Sequence, residues 1–136
     1  MKKKIAVLLL FVSALMLVGG LQTVGASDVS DLAIRVDLYQ HQYKAYSTDA
    51  CYGTYKYIWG ANEANSDHDV YFVAEFDDGS GVWEEDEIAY VLVDPGDPCP
   101  ETRTHVFYSE RDWRLKLDTW GIFKNSRAIG YIKNRS

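Results

Sequence analysis

Six carboxylates fall within the twelve residues "FDDGSGVWEEDE" (76–87), with two glycines and a tryptophan among them. Acids this dense could hold a cation or supply a catalytic pair. A calcium loop of the EF-hand kind needs acids at positions one, three and five and a glycine at six. Counting from Asp77, positions three and five are Gly79 and Gly81; counting from Asp67, position three is Asp69 but position five is Tyr71. The remaining calcium reading is a non-consecutive one, in which Asp77 and Asp78, the acids of 84–87, and Asp67 with Asp69 converge at one end of a β-sandwich. Its bland counterpart is that hydrated carboxylates keep a turn in water and shield strands from edge pairing.

Other chemistries find less. Glycoside hydrolysis needs two acids about 5–9 Å apart across a sugar, one with a raised pKa; acids crowded into one exposed loop do not make that pair. There is no G-x-S-x-G elbow and no phosphate-binding glycine motif. A metal-assisted hydrolase would require His41, His68 and His105 to converge from distant parts of the chain. The composition therefore points to binding without catalysis.

The residues best suited to binding are aromatic. Trp83 sits in the charged, glycine-bearing stretch, where a core position is hard to accommodate, and Tyr55, Tyr57 and Trp59 alternate along "TYKYIWG". Tyrosine and tryptophan offer large rigid area and one polar handle. They also favour strands and build small cores, which is the competing reading. On the binding reading, Trp83 and the Tyr55–Trp59 strand form one aromatic surface beside acidic loops. A protein or glycan partner outside the cell would use it, as for an exported antimicrobial or inhibitor. A carbohydrate-binding module, with calcium as a stabilising ion, is the alternative, and would present coplanar exposed rings.

The export expectation comes from the first residues. Lys2, Lys3 and Lys4 precede an apolar run from Ile5 to Val18, and Val24-Gly25-Ala26 offers small residues for cleavage. This reads as a bacterial secretory signal over 1–26, whose apolar run of 14 residues is too short for a spanning helix of about 20. It leaves one secreted domain over 27–136 with no membrane span. That domain has 11 basic and 20 acidic residues, a net charge of −9, which argues against nucleic acid and anionic lipid. Residues 27–102 carry −14 and residues 103–136 carry +5. Cys51 and Cys99 are the only cysteines. In an oxidising compartment they are expected to pair, closing a loop worth about 4 kcal/mol of unfolded-chain entropy.

The elements that must position these residues alternate with period two. Strands are expected in "IRVDL" and, after a bulge near Leu38-Tyr39, in the segment that follows. Further strands are expected in "TYKYIWG", "DVYFVAEF", "IAYVLVD", "RTHVFYS", "WRLKLD" and "RAIGYIKN". In "WRLKLD", Trp113, Leu115 and Leu117 should face inward and Arg114, Lys116 and Asp118 outward. A short helix capped by Ser109 is the rival for that segment. "DPGDPCP" and "DDGSG" read as connections, and "FKNSR" as a last hairpin turn. The expected fold is all-β: a small antiparallel β-sandwich of about seven strands with one disulfide.

Overall fold

The computed structural model describes residues 33–48, 51–121 and 125–133. The segment 1–26, expected to be a secretory signal, lies outside them. The described chain is all-β, with nine strands in two antiparallel sheets: β1 (Ile34–Leu38), β2 (Lys44–Tyr46), β3 (Cys51–Gly53), β4 (Tyr57–Asn62), β5 (Val70–Asp77), β6 (Glu84–Val93), β7 (Pro98–Arg103), β8 (Arg111–Asp118) and β9 (Ala128–Lys133). One sheet has the order β1-β9-β4-β7. The other has the order β2-β8-β5-β6, with β3 also pairing β8. No helix occurs among the described residues, so none is long and apolar enough to cross a membrane.

Period-two patterning builds the core between the sheets. Val36, Leu38, Ile58 and Ile132 face Val70, Phe72, Trp113, Leu115 and Leu117. Within the first sheet Gly60 pairs with Gly130, and both face large side chains of the other sheet at close range. A Cβ on Gly60 would run into the Ile129 carbonyl and lie 2.7 Å from Phe72 Cε2; one on Gly130 would lie 2.6 Å from Leu115 Cδ2. The missing side chains make room for the large residues opposite. At one end of the core, Trp113 donates its indole N–H to Gly53 O at 2.8 Å. Phe76 and Phe107 pack beside it, and the Arg111 guanidinium lies 3.8 Å from the Phe107 ring centre.

Several expectations are corrected. The face change near Leu38-Tyr39 is not a bulge within one strand. The chain turns through Tyr39–Gln42, with Gln42 N–H donating to Tyr39 O at 3.0 Å, and β2 enters the opposite sheet. The strand expected at 103–109 lies earlier, at Pro98–Arg103. Two prolines are tolerated there because β7 is an edge strand. Residues 84–87 belong to β6 and not to the connection. No hairpin links β8 to β9, which belong to different sheets; part of "FKNSR" lies outside the described residues.

The Cys51–Cys99 disulfide is not formed. Cys51 lies on β3, beside β8, whereas Cys99 lies on β7, the far edge strand of the other sheet, which packs by β6. Three strand spacings of about 4.8 Å separate the two edges laterally, roughly 14 Å. A disulfide tolerates about 7 Å between Cα atoms. Burial pushes the Cys99 thiol up to about 12, so it stays protonated.

Candidate binding surface

The four aromatic residues singled out from the sequence fall on two opposite faces. Tyr57 and Trp59 project from the outer face of the β1-β9-β4-β7 sheet, because their neighbours Ile58 and Gly60 are buried on the inner face. Tyr55 precedes the strand and meets Tyr57 edge-on at 5.9 Å. Trp59 stacks on its cross-strand neighbour Tyr131, with centroids 5.4 Å apart and planes 13° apart. Rings side by side in one plane would need about 7 Å between centroids, so this pair overlaps and forms no flat platform. Trp83 lies instead on the outer face of the other sheet. The structure does not bring it together with the Tyr55–Trp59 strand.

That second outer face follows from register. Lys44, Asp118, Tyr71 and Leu92 form one row across β2, β8, β5 and β6. Tyr46, Lys116, Val73 and Tyr90 form the next, and Arg114, Glu75 and Glu85 the third. Its centre is buried although it faces away from the core: Val73 is 1% exposed, Asp118 4%, and Glu75 and Lys116 5% each. Arg114 Nε donates to Glu75 Oε1 at 2.7 Å. Lys116 Nζ donates to Glu85 Oε1 at 2.7 Å and lies 3.4 Å from Glu75 Oε2. Burial opposes the Lys116 charge, yet the Glu85 hydrogen bond and the charges of Glu75 and Glu85 outweigh it and hold the pKa above the usual lysine value. The Arg114 guanidinium lies between two rings, 4.2 Å from the centre of Tyr46 and 4.4 Å from that of Trp83. This settles where the Trp83 ring lies: half-buried, flat over a cation, on the outside of the sheet.

The other end of the same face carries rings that stay open. Tyr71 contacts Tyr90 at 5.3 Å with a 62° tilt and Trp120 at 6.1 Å with a 50° tilt. Trp120 is 69% exposed, Leu92 48% and Tyr90 37%. Trp120 has φ 55°, and its N–H donates to Asp118 Oδ1 at 2.8 Å, so a turn residue is held at the edge of the face. Asp69 and Asp94 flank the Val70–Val93 rung and continue the outer row beyond Tyr71 and Leu92. A hydrogen bond from one carboxyl to the other raises the Asp69 pKa.

The acids proposed for calcium are not gathered. Asp67 and Asp69 precede β5 while Asp77 and Asp78 end or follow it; eight residues at about 3.3 Å each put Asp69 and Asp77 about 26 Å apart. Asp77 Oδ1 already accepts from Gly79 N–H at 2.8 Å and Gly81 N–H at 3.1 Å. Asp78 Oδ1 accepts from Ser80 N–H at 3.1 Å, and Ser80 holds that carboxyl below its usual pKa. These residues shape the hairpin turn and do not fit a shared calcium ion. Among the described residues no group of three or more His, Cys, Asp or Glu is placed to hold a metal. His41 and His68 lie in the β1–β2 and β4–β5 connections at one end of the sandwich, and His105 in the β7–β8 connection at the other.

Sequence reasoning missed Tyr46, Tyr71, Tyr90, Leu92 and Trp120. In "VYFVAEF" and "IAYVLV" apolar residues stand on both faces, so periodicity gives no sign of which side meets solvent. The signal that could have found them is the polar alternation of Arg114, Lys116 and Asp118 on β8, which fixes the outer face of β5 once the two pair. Comparisons of the chain with protein-family models, with curated proteins and with solved structures found no match.

Proposed function

We propose that the protein is an exported, non-catalytic binding protein that engages a protein partner through the outer face of the β2-β8-β5-β6 sheet. The observation that supports this is the set of open rings Tyr90 and Trp120 with Leu92 beside them, on a face whose charged centre is internally paired. Solvent-exposed aromatic and aliphatic side chains on a rigid sheet are the chemistry of protein interfaces. A glycan module would want coplanar rings; here the planes tilt by 50° and 62°. A three-histidine hydrolase would want His105 at the end that holds His41 and His68.

Site-specific photo-crosslinking tests the reading. A photoreactive residue in place of Leu92, on this face, should give a discrete protein adduct in culture medium. The same group in place of Ile129, on the opposite outer face, should not. The adduct should disappear when Trp120→Ala is added. Equal labelling from both faces, or none from position 92, would overturn the proposal.

A further inference from the structure

Resting on that reading, we infer that the partner presents a basic segment, whose lysine or arginine side chains lie on the open rings Tyr90 and Trp120, beside the half-buried Tyr71 that both touch. Two observations carry this. The first is charge. Among the described residues, the basic groups of this face are each paired with a carboxylate: Lys44 with Asp118 at 3.8 Å, Arg114 with Glu75, and Lys116 with Glu75 and Glu85. Among the described residues, exposed carboxylates outnumber exposed cations at its rim: Asp69 and Asp94 lie beyond the rings and Glu87 on the edge strand β6, against the partly exposed Lys44 on β2. An incoming cation meets uncompensated negative charge next to aromatic faces, whereas an anionic surface is repelled.

The second observation is that the chain twice uses its own cations in this way. Arg114 lies between Tyr46 and Trp83, and Arg111 covers Phe107 and Phe76. A guanidinium or ammonium over a ring is attracted by the negative face of the π system. At the Trp83 end the cation is supplied internally. At the Trp120 end the rings have the same kind of neighbours, a sheet surface and nearby carboxylates, but Tyr90 and Trp120 stand open to a cation from outside.

The test uses the mature chain and three immobilised peptides of equal length: oligo-lysine, oligo-arginine and oligo-glutamate. Both basic peptides should bind and the acidic one should not. Trp120→Ala and Tyr90→Ala should weaken binding at least five-fold, although neither changes the net charge. Asp69→Asn with Asp94→Asn should weaken it similarly. Asp78→Asn, which removes an equally exposed charge at the other end of the sheet, should change it less than two-fold. Equal losses from Asp78→Asn and the Asp69 and Asp94 variants, with none from the ring variants, would mean general acidity and would sink the inference. So would equal retention on oligo-glutamate, or sedimentation showing a self-associated form that the basic peptides do not displace. A crosslinked partner at position 92 that contains no basic segment would overturn this inference while leaving the protein-binding reading intact.

Discussion

Lys56 is wholly buried, and its ammonium donates to Tyr52 O at 2.7 Å. Burial pushes its pKa below the ordinary 10.5, against the opposing pull of Cys51 and Glu110. The unfolded chain therefore binds this proton more tightly than the folded one. Between the lowered folded value and 10.5, stability should rise with pH on account of Lys56. The urea midpoint of the wild type should climb through that interval relative to Lys56→Met, in which this group no longer titrates. Lys116 has the opposite sign: its raised pKa leaves its contribution complete below 10.5 and lost only above it. Gly60 sets a steric limit in the same core. Because a Cβ there meets backbone and the Phe72 ring, Gly60→Ala should cost about 3 kcal/mol or more in denaturant unfolding. Neither residue announces this in the sequence. A lysine amid tyrosines reads as exposed, and a glycine in "IWGAN" reads as a strand end.

At the level of elements, β6 depends on one carboxylate. Four residues, Asp86 to Ala89, lie between the rungs Glu75–Glu85 and Val73–Tyr90, where β5 has only Ala74. Asp86, 1% exposed, holds this bulge closed. Its Oδ1 accepts from Ile88 N–H at 2.8 Å and Ala89 N–H at 2.9 Å, and its Oδ2 accepts from His105 N–H at 2.9 Å in the β7–β8 connection. Asp86→Ala would leave three amides without their acceptor and should destabilise the fold by about 2–4 kcal/mol, measured as a shifted denaturant midpoint with an unchanged slope. The sequence showed "WEEDE" as a single acidic run. The structure divides it: Glu84, Glu85 and Glu87 are exposed along an edge strand, where charge deters strand addition, and Asp86 is internal. Strand existence was legible for most of the chain because period two is strong in "IRVDL" and "WRLKLD". Inward Trp113, Leu115 and Leu117 came directly from it. The Pro-Cys-Pro strand and the three-residue β3 were not legible, since short edge strands are held by pairing and not by local propensity.

For the whole molecule, the sheet partners were harder to read than the strands. Nothing local distinguishes a strand that bulges from one that leaves for the opposite sheet, as at Leu38-Tyr39, and two further expectations depended on sheet partners that no local pattern encodes. With β2 and β3 at one lateral edge and β7 at the other, the two cysteines could not meet. With Trp83 and Trp59 on opposite outer faces, the single aromatic surface became two. One of these is occupied by its own stacked pair, Trp59 and Tyr131. The other combines an internally neutralised centre with open rings.

The first and last described strands are neighbours: Ile34 pairs with Ile132 and Leu38 with Ala128. Force applied at residues 33 and 133 would act on one end of that ladder and break its rungs in succession, not all together. Pulled in this direction the sandwich opens like a zip. The β1–β9 seam yields first, while the β5–β8 pairing in the other sheet, which carries the outer face, bears no load until that seam has gone.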